Sequence, residues 1–187
     1  MASESKNTPP LGKTAELLDE NLYWSIIQKA KEATEDQDEM EEYLIEEVEK
    51  LTPKEMVGFH LQTINLEQKA YTPHLWCAAS IINDGASDDG FEYFRYWLIS
   101  TGKDTYYKAI QDPDSLADIV EEDNEYEFES LAYIAMEAFE NKTNQDLYDY
   151  IETISYTLQD LEFTWKKDDP QSQKKLCPKL YEKFIGQ

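Results

Sequence analysis

Helix-start signals recur along this chain and leave little room for any other kind of element. Thr52-Pro53 and Thr72-Pro73 each place a capping residue directly before a proline, which favours the first turn of a helix. Glu55 completes a capping box with Thr52. Asp112-Pro113 repeats the pattern, and Gly102 follows an apolar block as a stop signal. The chain is therefore predicted to be a series of short helices.

Apolar residues between these signals recur at helical spacing. Leu22, Ile26, Ile27 and Ala30 form one such stripe. A buried helix is expected over 126–143, and Thr143 is expected to cap a last one. No segment alternates polar and apolar residues for long enough to predict a strand. The expected fold class is all-α.

The expected organisation is a single compact multi-helix domain with additions at both ends. Residues 1–15 are polar, with a Pro-Pro pair, and are predicted to be a disordered arm. The helical domain is predicted over 16–145, followed over 146–187 by the last helix and a C-terminal extension. This extension, Trp165–Gln187, carries six of the sixteen lysines and is expected to fold back onto the acidic body.

The net charge of the chain limits the classes of partner that it is expected to bind. The chain has 40 acidic residues against 17 basic ones, a formal net charge of −23. Nucleic acids and anionic membranes both attract a surplus of Lys and Arg, so neither is an expected partner. The apolar runs are too short to span a bilayer, and there is no export signal. The two cysteines are therefore expected to be free thiols in the cytoplasm, and a basic protein is the expected partner.

Two acidic runs are candidates for a docking surface. Glu32–Glu49 holds ten carboxylates, and Asp112–Glu129 holds nine with no Lys or Arg. Such runs are usually solvated helix faces, but at this density they also suit recognition of a basic protein. The residues expected to contact it are Glu39, Glu42, Glu46, Asp118, Glu121, Glu122 and Asp123.

A second candidate site surrounds the only arginine of the chain. Ser87, Asp88 or Asp89 is expected to cap the helix that contains Arg95. Asp88, Glu92 and Arg95 then fall on one face. One interpretation is a cap with an intrahelical ion pair that fixes the preceding loop. The other is a cleft in which Asp88, Asp89, Glu92 and Arg95 bind a ligand or catalyse acid–base chemistry.

No metal or cofactor site is predicted. The loop at 83–90 does not fit a calcium-binding loop, because the twelfth position would be Tyr96 rather than a glutamate. The potential zinc ligands His60, His74, Cys77 and Cys177 are scattered along the chain. No glycine-rich loop that could hold a phosphate is present.

The stretch LWCAASIINDGASDDGFEYFRYWLISTGKDTYYKAIQDPDSLAD is similar to the signature of an uncharacterised bacterial domain family of unknown function. The resemblance covers roughly residues 20 to 142. It is carried by Asp88, Asp89, Phe91, Phe94, Arg95, Trp97, Leu98, Gly102 and the DPDSLAD turn. It implies a helical, cytoplasmic bacterial domain and implies no reaction.

Two functions of different classes follow from these observations. The first is a non-enzymatic acidic protein that docks a basic protein, most concretely an immunity-type protein that neutralises a bacterial toxin. The alternative is a small enzyme or ligand-binding domain that uses the cluster around Arg95.

Overall fold

The computed structural model describes residues 12–122, 124–152 and 160–186. Nine α-helices lie within these ranges: α1 Glu20–Ala33, α2 Gln37–Glu49, α3 Pro53–Lys69, α4 Pro73–Ile82, α5 Asp88–Ser100, α6 Lys103–Gln111, α7 Ile134–Thr143, α8 Pro170–Leu176 and α9 Pro178–Phe184. Three short 3-10 helices, Pro113–Asp118, Glu129–Ala132 and Leu147–Tyr150, connect them. The described ranges contain isolated β-bridges but no strand, so the predicted all-α fold is confirmed.

Helix α3 lies at the centre of the domain. It packs against α1, α2, α5 and α7, and every residue of its Met56–Thr63 stretch is buried. The sequence shows a single apolar stripe here, but contacts on several sides also bury polar residues such as His60 and Gln62. All the other helices that frame the candidate site are positioned by this one.

A second group of helices packs beside α5. Helix α4 contacts α5, α8 and α9, and the 3-10 helix Pro113–Asp118 contacts α4, α6 and α9. One hydrophobic core runs through both groups, from Leu18 to Leu180. The single compact domain expected from the sequence is confirmed.

Side-chain caps start the helices where the sequence predicts them. Thr52 Oγ1 accepts the Glu55 N–H at 3.3 Å, and Glu55 Oε2 accepts the Thr52 N–H at 2.9 Å, which completes the capping box. Thr72 Oγ1 accepts the Leu75 N–H at 3.2 Å. Each cap satisfies a backbone donor that the first turn of a helix leaves without a partner.

Three segments differ from the sequence-based prediction. The helix expected over 126–143 begins only at Ile134, because 124–128 are not helical and Glu129–Ala132 is a 3-10 helix. The segment after Asp112 is a 3-10 helix and not an α-helix, and the Asp112 side chain makes no capping bond. Helix α7 ends at Thr143, because Asn144 adopts a left-handed conformation with φ of 56°. The helix predicted to start at Thr143 is replaced by a 3-10 helix at Leu147–Tyr150, and residues 153–159 lie outside the described ranges.

The C-terminal extension packs onto the body through apolar and capping contacts. Trp165 Nε1 donates to the Pro73 carbonyl at 2.6 Å, and Leu180 is fully buried. The buried Asp114 carboxylate accepts the N–H groups of Lys179 and Leu180, each at 2.9 Å, and so caps the start of α9. The extension therefore docks as the sequence suggests, but mainly through these groups rather than through its lysine charges.

The N-terminal segment also contacts the body where the structure describes it. Thr14 is buried, and its N–H donates to the Tyr150 carbonyl at 2.9 Å. The Leu18 N–H donates to the Gly58 carbonyl at 2.9 Å, so this segment crosses α3 closely. Residues 1–11 of the predicted arm lie outside the described ranges.

We expect Gly58→Ala to destabilise the protein by roughly 1–2 kcal/mol. A Cβ at this position would lie 2.9 Å from the Leu18 nitrogen, which forces a backbone shift that outweighs the better helix propensity of alanine. Urea denaturation measures the change. Gly12→Ala is the matched control, since a Cβ there meets nothing within 4 Å. Equal stability of the two variants would contradict the close approach.

Candidate functional site

Ser87 starts helix α5. Its hydroxyl oxygen accepts the Gly90 N–H at 3.1 Å, which decides between the three candidate caps. Asp88 and Asp89 occupy the first turn with exposed side chains, where the helix dipole favours negative charge. Both carboxylates therefore face solvent at the start of the helix.

Arg95 is buried between two helices. Its Nη1 forms an ion pair with Glu67 Oε1 of α3 and donates to the Glu67 carbonyl at 3.2 Å. Its Nε donates to the Phe91 carbonyl, also at 3.2 Å. The ion pair expected within α5 is thus made with another helix, and Arg95 fastens α5 to α3.

Two aromatic rings enclose the Arg95 guanidinium. Its central carbon lies 4.8 Å from the centre of the Tyr71 ring and 4.7 Å from that of Phe91. Trp76 stacks on Phe91, with 4.7 Å between ring centres. Cation–π attraction adds to the ion pair in this water-poor setting.

Burial acts on both members of the ion pair. Burial raises the pKa of the Glu67 carboxyl, while the Arg95 guanidinium acts in the opposite direction and the nearby Glu92 raises it further. Burial likewise lowers the pKa of Arg95. Each charge thus depends on the other, and removal of one would leave the other buried without an opposite charge beside it.

A shallow cleft of about 400 Å³ opens over this pair. Its lining consists of Glu67, Gln68, Tyr71, Asp88, Asp89, Glu92 and Arg95. The four residues of the predicted cluster are therefore brought together. Because Arg95 is occupied by Glu67 and lies at 5% exposure, the charged groups that the cleft offers to solvent are carboxylates.

Six carboxylates form one acidic surface beside this cleft. We define the acidic surface as Asp88, Asp89, Glu92, Glu125, Glu127 and Glu129. Burial raises the pKa of Glu127, and repulsion from Glu125 and Glu129 raises it further. A Cβ on Gly90, next to Asp89, would lie 3.3 Å from Glu127 Oε1. The end of the second acidic run thus lies against the first turn of α5.

Two tyrosines lie within the acidic surface. The Tyr133 hydroxyl donates to Glu129 Oε1 at 3.2 Å, and its ring is 49% exposed. The pKa of Tyr133 is raised first by this hydrogen bond, and the charges of Glu129 and Glu92 add to the effect. The pKa of Tyr93 is raised by burial and by Glu129 and Asp89. These contacts connect Glu129 with the carboxylates of α5, Asp89 and Glu92.

The first acidic run adjoins the acidic surface. Gln37 Nε2, in the first turn of α2, donates to the Glu127 carbonyl at 2.8 Å. The predicted docking residues Glu39, Glu42 and Glu46 follow along α2 with exposed side chains. Glu39 also accepts the Glu35 N–H at 3.0 Å.

The other predicted docking residues lie elsewhere. Asp118 pairs with Lys108 at 3.4 Å, and Glu121 pairs with Lys183 of the C-terminal extension at 3.3 Å. Glu122 is exposed near the same extension, lining a cleft with Phe184 and Ile185. Asp123 lies outside the described residues. The second run thus passes from α6 and α9 to the acidic surface, and Glu125 lies between the two parts because it lines the same cleft as Glu122.

Comparison with known families shows to which family the chain belongs. Residues 18–141 match the model of a family described as proteins of unknown function, DUF4240. The chain belongs to this family. The match to DUF4240 includes the whole acidic surface and Arg95, and it ends before the C-terminal extension. No curated protein and no solved structure matches the chain.

The structure adds residues to this DUF4240 site that the sequence did not suggest. Glu67 was missed because it lies 28 positions before Arg95 on a helix that reads as amphipathic. Glu125, Glu127 and Glu129 belong to the second run but were not singled out. The alternating acids of Glu125-Tyr126-Glu127-Phe128-Glu129 were the available signal, since every second side chain of an extended segment shares a face.

Other potential sites in this DUF4240 chain are limited. Among the described residues, no group of three or more His, Cys, Asp or Glu side chains could hold a metal ion. Cys77 and Cys177, scattered in sequence, are neighbours in the fold. No helix in the described ranges is long and apolar enough to cross a bilayer.

Proposed function

We propose that this protein is a non-enzymatic acidic binding protein that docks a basic protein partner through the acidic surface. The observation that carries the proposal is the lack of internal compensation there. In the part of the chain that the structure describes, none of the six carboxylates forms a salt bridge within 4.0 Å. Lysines pair instead with acids elsewhere, such as Asp118 and Glu121.

The raised pKa of Glu127 supports this proposal. Burial raises that pKa most, and the like charges of Glu125 and Glu129 raise it further, which the fold tolerates without placing a lysine beside them. A cationic partner would lower that pKa again. The exposed Tyr133 ring provides a partly apolar contact of the kind enriched in protein interfaces.

The cleft over Arg95 fits one cationic side chain of the partner. Its carboxylates Asp88, Asp89 and Glu92 surround a space of about 400 Å³, beside the Tyr71 ring. A lysine or arginine side chain from the partner would find opposite charges and an aromatic face there. In this proposal the cleft and the acidic surface are one recognition site.

The most specific form of the proposal is an immunity-type protein that covers the basic surface of a bacterial toxin in the cytoplasm. The free thiols of Cys77 and Cys177 suit a reducing compartment. Fast association would serve such a role, because electrostatic steering raises the rate at which opposite surfaces meet.

We expect neutralisation of the acidic surface to weaken binding of a short oligolysine peptide by about tenfold at about 50 mM salt. The variant is Asp88→Asn, Glu125→Gln and Glu129→Gln. Three exposed ion pairs of about 0.5 kcal/mol each account for that change. The melting temperature should stay equal or rise slightly, since repulsion is relieved. Calorimetry at several salt concentrations measures the affinity, which should fall steeply towards about 200 mM.

The control carries the same change of charge elsewhere. Asp104→Asn, Asp160→Asn and Glu162→Gln remove three exposed carboxylates outside the acidic surface, and Asp104, like Asp88, lies in the first turn of a helix. We expect less than a twofold effect from this triple variant. Equal weakening by both would show that only the net charge matters and would refute the docking surface.

Two further variants test the two acidic runs that the sequence predicts as candidates for a docking surface. Glu39→Gln, Glu42→Gln and Glu46→Gln should weaken oligolysine binding, because α2 adjoins the acidic surface. Asp118→Asn and Glu121→Gln should weaken it less, since these carboxylates already pair with lysines. The reverse order would place the docking surface on the α6 and α9 side.

The second candidate is a small ligand-binding or enzymatic domain, favoured by the same cleft. Free lysine or agmatine, titrated into the protein and followed by NMR shifts of residues around Arg95, distinguishes the two. Saturable binding confined to the cleft, together with an unchanged affinity for oligolysine in the triple variant of the acidic surface, would favour this candidate.

A further inference from the structure

Cys77 and Cys177 meet although they come from opposite ends of the chain. Cys77 lies in α4, and Cys177 joins α8 to α9 in the C-terminal extension. Helix α4 packs against both α8 and α9, and the two thiols lie within hydrogen-bonding reach of each other. Both are reduced, with exposures of 0% and 1%. The contact spans the boundary of the family match, which ends at residue 141.

We propose that Cys77 and Cys177 form a reversible disulfide that fastens the C-terminal extension to α4 when the protein meets a peroxide. One thiolate attacks the peroxide, which breaks the O–O bond and leaves a sulfenic acid on that cysteine. The second thiol then attacks the sulfenic sulfur and displaces water. In total, two thiols and one hydrogen peroxide give one disulfide and two waters, so the peroxide takes up both electrons.

The docked extension protects the thiols from this reaction. The hydrogen bond with Cys77 raises the pKa of the Cys177 thiol, and burial raises it further. Since the thiolate is the reactive form, oxidation is slow while both thiols are protonated and shielded from solvent. Local release of α8 and α9 exposes them, and return of the extension brings the second thiol onto the first. The disulfide therefore forms after the extension has opened in an oxidising environment.

The extension has the contacts expected of an element that both docks and opens. Its helices α8 and α9 are seven residues each, too short to be stable alone. They are held by the buried side chains of Cys177 and Leu180, by the Asp114 cap at the start of α9, and by the ion pair of Lys183 with Glu121. Five lysines of the extension, Lys166, Lys167, Lys174, Lys175 and Lys179, are exposed. A covalent link at Cys177 would hold this part in place. The disulfide does not depend on the docking function proposed above.

Hydrogen peroxide treatment of the purified full chain tests the proposal. We expect a monomer that has lost two hydrogen atoms and a Cys77–Cys177 cross-linked peptide in a non-reducing digest. The melting temperature should rise by at least about 5 °C, because the bond closes a loop of about 100 residues in the unfolded chain. Dithiothreitol should reverse both changes.

Limited trypsin digestion and single-cysteine variants complete the test. Release of the lysine-rich extension from the native protein should slow at least tenfold on oxidation. Cys77→Ala and Cys177→Ala should each abolish the response of melting temperature and digestion to peroxide. Should either variant fail to fold, the peptide map of the wild type still decides. Peroxide that yields only sulfinic acid or intermolecular dimers, or leaves both thiols reduced even in mild urea, would overturn the proposal.

Discussion

Arg95→Ala should lower the free energy of unfolding by about 3–5 kcal/mol, the largest effect we expect from any single substitution in this protein. The change removes the cation that pairs with Glu67, whose side chain is 6% exposed. A buried carboxylate without its partner is strongly destabilising. The loss of contact with the Tyr71 and Phe91 rings adds to the effect. Urea denaturation followed by circular dichroism measures it.

Two further variants separate charge from geometry at Arg95. Arg95→Lys retains the charge but has a single donor group, so it cannot bond Glu67 and Phe91 together or stack between the rings. We expect it to recover less than half of the loss. The double variant Arg95→Met with Glu67→Leu removes both charges and replaces them with apolar groups of similar length. It should be more stable than Arg95→Ala alone.

The single variants Arg95→Met and Glu67→Leu complete a double-mutant cycle, and oligolysine binding then decides whether Arg95 has a functional role. A coupling energy well above about 1 kcal/mol between Arg95 and Glu67 is expected from their contact. If Arg95→Ala unfolds like the wild type but loses oligolysine binding, the guanidinium belongs to the recognition site and not to the fold. Glu92→Gln is the control for the free energy of unfolding alone, since Glu92 is on the same helix and outside the ion pair but belongs to the acidic surface.

Local signals in the sequence predicted where helices start but not which side chains of different helices contact each other. Thr52, Thr72 and Ser87 cap helices because each hydroxyl bonds to a backbone group three residues along, an interaction that the local sequence determines. Arg95 has its partner 28 residues away, so the choice of Glu67 depends on how α3 packs on α5. A pairing within α5, the nearest solution in sequence, was therefore the wrong prediction.

The same difference between local and long-range contacts explains why the rest of the site was not predicted. The density of the acidic runs was visible, but they meet through tertiary packing, where Gln37 donates to the Glu127 carbonyl 90 residues away. Asp114 reads as one more solvated acid, yet it is buried as the cap of α9, 65 residues away. Burial of a carboxylate against backbone N–H groups cannot be read from composition, because it depends on where a distant helix begins.

Acidification should destabilise the protein through His60, the second large effect we expect. Burial in α3 lowers the pKa of His60 to about 4, from an ordinary value of 6.5. Its Nε2 is the one buried side-chain nitrogen or oxygen in the described residues that has no hydrogen-bond partner. Nothing in this position compensates a positive charge, so the folded protein holds the imidazole neutral.

The sign of the effect follows from proton binding in the two states. Between pH 6.5 and about 4 the unfolded chain binds a proton at His60 and the folded chain does not. The free energy of unfolding therefore falls as the pH decreases through this range, and by pH 4 the loss from this one group is about 3 kcal/mol. Above pH 6.5 both states are neutral at His60, and the contribution disappears.

His60→Phe isolates this contribution, because a phenyl ring keeps the shape of the side chain and its edge contact with Tyr148 but cannot take up a proton. At pH 7 the variant should be at least as stable as the wild type, since it also removes an unsatisfied buried nitrogen. Unfolding free energies measured from pH 7 to 4 should show the wild type losing about 3 kcal/mol more than His60→Phe. Carboxylates contribute equally to both proteins and cancel in the difference.

His74→Gln changes an exposed histidine and should follow the wild type throughout. Parallel pH profiles for the wild type and His60→Phe would show that His60 becomes protonated within the folded protein, and α3 would then have to admit water at its centre.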